Sequence, residues 1–242
     1  MPSVSSQNVH KSQPPFPICC LVLDKTSGDV NMKKILCAGF LVLSLIFTPH
    51  SSIAGEWSFN LNGVLGGKFL DEDDWGKFDD QFEFGFMADA RKKGWPVSLV
   101  ANLLYSSDSS SHYDDSWRDD RYRYTYYAEE AYTAELNLGL KKIWVLPKNW
   151  NIYVAGGGAV IYGGVEITRE DNLNGDYRDT DNEDDVGFGY WGAFGIYKTF
   201  KRHFNLGLDV RYSDAKIRLY HEDRNAGGFH VGLILGFCWN AD

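Results

Sequence analysis

The chain has 242 residues, of which 44% are hydrophobic and 15% aromatic, enough apolar material for one domain or two small ones. Its formal net charge of −9 argues against nucleic acid as a partner, because phosphate recognition needs clustered lysine and arginine.

Residues 1–31 are mixed and Pro/Ser-rich, with no period of 2 or 3.6, and read as a non-native, disordered extension upstream of a start at Met32. Met32-Lys33-Lys34 then precedes the apolar run from Ile35 to Thr48, and Ser52-Ile53-Ala54 closes it with small residues at −3 and −1. A basic start, a short apolar run and a small-x-small end describe a secretory signal peptide over 32–54, cleaved near Ala54. The run has 14 residues, fewer than the about 20 that a spanning helix needs. Beyond Ala54 stand 20 basic and 31 acidic residues, a net charge of −11, and the single cysteine Cys238, so no disulfide forms within that part.

From Gly55 onward the dominant signal is a period of 2, which puts successive side chains on opposite faces of a strand. Trp57, Phe59, Leu61 and Leu65 oppose Ser58, Asn60 and Asn62. Phe82, Phe84, Phe86, Ala88 and Ala90 oppose Glu83, Gly85, Met87 and Asp89. Val97, Leu99, Ala101, Leu103 and Tyr105 oppose Ser98 and Asn102. Tyr132, Ala134, Leu136, Leu138 and Leu140 oppose Thr133, Glu135, Asn137 and Lys141. Segments 151–165 and 187–199 are Gly-rich and apolar, with no clear facing. Phe204, Leu206, Leu208, Val210 and Tyr212 oppose Asn205, Asp209, Arg211 and Ser213, and Phe229 to Trp239 closes the series with the same alternation. The pattern predicts eight strands of about the 9–11 residues that cross a bilayer at a tilt.

Short connections (92–96, 143–150, 200–203) alternate with long ones (70–81, 106–128, 167–186, 213–228). Short turns at one end and long loops at the other suit an outer-membrane barrel with short periplasmic turns and long extracellular loops. The short turns are basic, while DEDDWGKFDD (71–80) and EDNLNGDYRDTDNEDD (170–185) are acidic. Trp57, Trp95, Trp144, Trp150, Phe204 and Trp239 mark one expected water–lipid boundary; Tyr105, Tyr162, Phe188 and Tyr212 mark the other.

Alternation alone does not say which face is outside, and a soluble lipocalin-like carrier has an apolar interior. Lipid outside is favoured because the polar face carries both signs. Lys68, Arg91, Lys141 and Arg211 stand against Glu83, Asp89, Glu135 and Asp209, a predicted ionic network filling a narrow lumen. Leu136, Leu138, Leu233 and Leu235 are the residues whose orientation decides between the two.

The segments AELNLGLKKIW (134–144), WNIYVAGGGAVIYGG (150–164), GYWGAFGIYKTFKRHFNLGLDVRYSDAKI (189–217) and GGFHVGLILGFCW (227–239) resemble the OmpA-like and OmpX-like eight-stranded outer-membrane β-barrel superfamily. The resemblance covers about 55–242. It implies an all-β, antiparallel up-and-down transmembrane barrel in the Gram-negative cell outer membrane. It also implies an assembly signal for the barrel-assembly machinery in Phe229–Trp239, although Asn240-Ala241-Asp242 follow the terminal aromatic here. Adhesins and stability proteins share the pattern, so it does not choose an activity.

Candidate chemistry is sparse. Ser109-Ser110-Ser111-His112 with Asp114-Asp115 offers the residue types of a hydrolase, but triads are set in space and not by adjacency. Asn172 to Asp176 offers oxygen ligands around Gly175 without full calcium-loop spacing. Arg121 and Arg123 alternate with Tyr122, Tyr124 and Tyr126 in the register of Tyr132 to Leu140, which predicts that this strand continues above the membrane as a partner-contact ribbon. The reading is a monomeric, non-enzymatic surface barrel without cofactor or specific metal. Its acidic, aromatic loops serve envelope stability or surface interaction, meeting lipid and lipopolysaccharide, with divalent cations as bridges. A narrow pore and a lipid A-modifying enzyme are the other readings.

Overall fold

A computed structural model describes residues 56–118, 121–171, 177–201 and 203–239, with backbone alone over 113–118, 121–124, 171 and 177–178. The predicted leader and upstream extension lie outside the described residues, as does Asn172–Asp176.

The strands are β1 (Trp57–Phe69), β2 (Asp80–Lys92), β3 (Ser98–Arg118), β4 (Arg121–Leu146), β5 (Trp150–Asp171), β6 (Tyr177–Phe200), β7 (Phe204–Leu219), β8 (Glu222–Asn225) and β9 (Gly228–Trp239). β1 to β7 pair in sequence order, β7 pairs with β9, and β9 returns to β1, so eight antiparallel strands close a barrel. The closing seam runs from Phe59↔Trp239 to Phe69↔Phe229. Closure leaves no edge within the ring, and every ladder group finds a partner there. β8 is a short return strand on β7. Its hairpin turn, Tyr220-His221, has positive φ at both residues (52° and 67°), the geometry of the tight turns whose twist matches paired strands.

The expected long loops differ from what is seen. Segments 106–128 and 167–186 are mostly strand: β3 and β4 stay paired up to Arg118↔Arg121, and β5 and β6 up to Asp171↔Tyr177. The Tyr–Arg alternation continues β4 as the sequence predicts, and β3, β5 and β6 lengthen with it, because continued pairing satisfies backbone groups that water would otherwise serve. The strands consequently reach 26 residues in β4, well beyond a bilayer's need. The link 70–81 folds into a one-turn helix, α1 (Glu72–Trp75), whose start is capped by the Asp71 carboxylate accepting from the Asp73 amide at 3.1 Å. A 3-10 turn (76–78) follows, and the pair turns Trp75 and Phe78 inward.

Burial follows the alternation. In β9 it is strictly buried–exposed from Gly228 to Trp239. Phe82, Phe86, Leu138, Leu233 and Phe237 are each 50–62% exposed, pointing away from the barrel. Leu235 is exposed on the same face, and Leu136 is half-buried there, so the carrier reading is set aside: bulky aliphatic residues line the outside. The outward apolar band from Phe229 to Trp239 spans about 33 Å along the strand, and about 25 Å at the usual tilt of about 40°. Tyr162 departs from its expected rim exposure: it is buried beside Tyr132, with ring centroids 5.9 Å apart.

β4 and β5 meet backbone to backbone along their glycines, with Gly139 opposite Gly157. A Cβ on Gly139 would collide with the backbone of Gly156 and Gly157. Gly139→Val is expected to cost about 1–3 kcal/mol or more, by forcing apart a ladder that cannot yield. Loss of the compact, heat-modifiable species on unboiled gels checks it.

Candidate functional site

The lumen is filled in layers. Nearest the short turns is an open vestibule of about 460 Å³, into which Ser58, Asn60, Asp89, Arg91, Ser98, Tyr197 and Cys238 face. Next, Lys141 Nζ meets Asp89 Oδ2 at 2.9 Å and lies 4.1 Å from the centre of the Tyr153 ring, while Asn60 donates to the same carboxylate at 2.8 Å. Beside this, the Tyr153 hydroxyl donates to Asp209, and Gly195 makes room for the ring, since a Cβ there would strike it. Arg211 pairs with Asp209 at 3.2 Å, donates to the Met87 sulfur and sits 5.1 Å from the Trp191 ring centre.

The upper layer joins five strands: β1, β2, β4, β7 and β9. Lys68 Nζ, fully buried, donates to Glu135 Oε1, Thr133 Oγ1 and the Ala226 carbonyl, each at 2.7 Å. Ser213 donates to Glu135 Oε1 at 3.0 Å, and Asn137 donates to Oε2 at 3.1 Å. His230 places Nδ1 2.5 Å from Glu83 Oε2, and Nε2 3.0 Å from Ser213 Oγ and 3.5 Å from Glu135 Oε1. Above this layer the lumen is apolar: Leu70, Trp75, Phe78, Ile217, Leu219 and Ala226 pack together. Trp75 Nε1 donates to the Asn225 carbonyl at 2.7 Å, and the Asp74 carboxylate accepts from the Asn225 amide at 2.8 Å, fastening α1 to the segment before β9.

The structure thus brings Lys68, Glu83, Asp89, Glu135, Lys141, Asp209 and Arg211 into one interior stack, while Arg91 stands apart at its lower end. Among the described residues, His230 supplies the basic partner of Glu83, a member absent from the predicted network. Its signal lies in the sequence: it alternates with Phe229 and Val231, on the polar side of β9. Tyr153, Trp191 and the Trp75–Phe78 cap are also missing from the sequence reading. The first two lie on Gly-rich strands with ambiguous facing, and the cap sits in a segment that reads as a solvated acidic loop.

Ser111 and His112 are exposed consecutive residues of β3, so they project to opposite faces and do not converge. The side chains of Arg121, Tyr122, Arg123 and Tyr124 lie outside the described residues, although their backbone continues β4; Tyr126 is half-buried on the same strand. Among the described residues, no group of three or more His, Cys, Asp or Glu side chains is placed to hold a metal ion. A shallow outer hollow of about 220 Å³ carries Glu130 and Glu166, directly opposed across β4 and β5.

A closed barrel with aromatic and aliphatic residues outside and ion pairs inside is the arrangement that defines membrane-spanning β-barrels as a class. Three solved structures similar to this chain are themselves surface or outer-membrane proteins. They are the Neisserial surface protein NspA (9% identity, TM-score 0.37, covering 75% of this chain and 94% of that one), Ail of Yersinia pestis (11%, 0.34, 76% and 99%) and a major outer membrane protein of Thermus thermophilus (11%, 0.43, 76% and 98%). No family model and no curated protein matches the sequence.

Proposed function

We propose that the protein is an outer-membrane barrel without catalytic role, whose strands rise above the bilayer to present a rigid contact sheet. The observation that carries this is the continuous outward apolar band set against an ion-paired lumen. Apolar patches beyond a few hundred Å² on a protein surface mark a partner or a membrane, and here the band runs along strands on all sides of the ring. The packing of Trp75, Phe78, Leu219 and Ala226 over the upper lumen speaks against an open pore.

Above the band, β3–β6 form a four-stranded extension. β3 beyond Ser107 has no pairing with β2, and β6 before Gly189 has none with β7. The β6 edge carries Asp179, Asp181, Glu183, Asp184 and Asp185. Two copies of this acidic edge repel each other, so the extension suits a basic partner, or divalent cations bridging to lipopolysaccharide, better than a second copy. Arg121, Tyr122, Arg123, Tyr124 and Tyr126 belong to this extension as candidate contacts, the chain acts as a monomer, and Phe229–Trp239 serves the assembly machinery.

The test is cell fractionation of the expressed chain. It is expected in outer-membrane fractions, resistant to carbonate and urea extraction. Surface protease is expected to cut near 118–121, and planar bilayers are expected to show no steady conductance. Recovery as a freely dissolved periplasmic protein would overturn the proposal.

A further inference from the structure

The vestibule at the short-turn end is not explained by a sealed structural barrel. Among the described residues its charges balance except at one point. Asp89 is held by Lys141 and Asn60, whereas Arg91, on the inward face of β2, has no ion pair or hydrogen bond to any described residue. Arg91 is in register with Ser58 on β1. It follows Ala90, whose partner is Leu99, and so comes opposite Ser98 at the end of the β2–β3 ladder. Ser98 is 1% exposed, its hydroxyl has no hydrogen-bond partner among the described residues, and it lines the vestibule. An orphaned buried hydroxyl is costly unless something completes it. Ser98 is also directly paired with Lys141, so a ligand seated here feels two cations against the one carboxylate of Asp89.

The surroundings favour an anion. Lys92, Lys93, Lys142, Lys148 and Lys201 ring the same mouth, and among the described residues Glu56 is the acid that meets one of them, Lys92 at 3.3 Å. A concave mouth lined by one sign of charge concentrates counter-ions. A guanidinium fork flanked by two hydroxyls presents several donors to one point, which fits a tetrahedral head with three free oxygens better than a planar carboxylate. Ile143, Val145 and the Tyr197 ring supply an apolar wall, and about 460 Å³ falls within the roughly 300–1,000 Å³ of small-molecule sites.

We propose that this vestibule binds a small organic phosphate, its head held by Arg91 with the hydroxyls of Ser58 and Ser98 and its organic part against Ile143, Val145 and Tyr197. The same chemistry, a phosphate monoester, is offered by a soluble phosphate ester and by the head of phosphatidic acid. Binding does not depend on which membrane holds the barrel; only the compartment of access does.

The test uses the full barrel in phosphatidylcholine nanodiscs, titrated with sn-glycerol 3-phosphate and followed by NMR at the Arg91 side chain and the Ser98 amide. Saturable shifts at both are expected, with inorganic phosphate binding more weakly for want of the apolar contact. Arg91→Gln is expected to weaken binding about tenfold, and Ser98→Ala severalfold. Phosphatidic acid nanodiscs reproduce the shifts without added solute if the lipid head is the occupant; if they do not, the soluble ester is. Cys238 gives an independent reading, because it lines the same space. Saturating glycerol phosphate is expected to slow its alkylation severalfold in the native chain, a result that does not require any variant to fold. Linear, unsaturating shifts, perturbation confined to Lys92 and Lys93, an unchanged affinity in folded Arg91→Gln, or unprotected Cys238 would each overturn the site.

Discussion

Glu135→Leu is expected to destabilise the barrel by about 3–5 kcal/mol, among the largest effects of any single substitution here. The loss is not that of one contact. Lys68 is fully buried, and without Glu135 its ammonium retains only Thr133 Oγ1 and the Ala226 carbonyl, both neutral acceptors, among the described residues. Ser213 and Asn137 lose their acceptor at the same time. Lys68→Met is expected to cost less, because the Glu135 carboxylate keeps Ser213, Asn137 and the nearby His230 ring. Its own cost includes the fastening of Ala226, through which Lys68 ties the outer cap to the charged layer. The double variant Lys68→Met/Glu135→Leu is expected to recover much of the sum, since a removed pair leaves no stranded ion. Urea unfolding in lipid vesicles, compared by midpoint across the four proteins of the cycle, measures the coupling. Strict additivity would mean that the two charges do not sense each other.

Leu138→Arg carries the second large effect and tests the membrane assignment itself. Leu138 is 50% exposed, midway along the outward face of β4 between Tyr132 and Trp144. At the bilayer midplane an arginine costs about 2–4 kcal/mol, falling to about 0–1 near the interfaces. The control is Leu146→Arg, on the same face of β4 as Leu138 but 39% exposed at its last residue beside the short turn, where water is within reach. A large penalty at Leu138 with a small one at Leu146, read from unfolding midpoints in vesicles, is the depth profile of a lipid-facing strand. In a soluble barrel both positions are ordinary surface, and both substitutions would lie within about 0.5 kcal/mol of neutral.

The strands of the ring were legible because period-2 patterning is local and is enforced by two incompatible solvents. Phe82-Glu83-Phe84-Gly85-Phe86 states its own facing, and in the structure those residues alternate exposed and buried as written. Where both faces are small or apolar, as in VAGGGAVIYGG, the signal fades, and Tyr153 and Trp191 could not be assigned to the lumen before the register was known. The extension of β4 was legible in its Tyr–Arg alternation, but that of β3, β5 and β6 was not, because polar strands in water carry no hydrophobic alternation to extend the count. The acidic link 70–81 hid its function for a related reason: Trp75 and Phe78 read as isolated aromatics, and only contact with Leu219 and Ala226 makes them a cap.

What the sequence by itself determined is the strand number, the alternation and the set of ionisable groups turned away from the greasy face, all consequences of nearest-neighbour geometry along a pleated chain. What only the tertiary structure decided is who pairs with whom: Lys68 with Glu135 across 67 residues, His230 with Glu83 across 147, and, among the described residues, Arg91 left without an ion pair at the mouth. The reason is that partners in a closed barrel are chosen by register and circumference, quantities that belong to the whole ring and are written in no single strand.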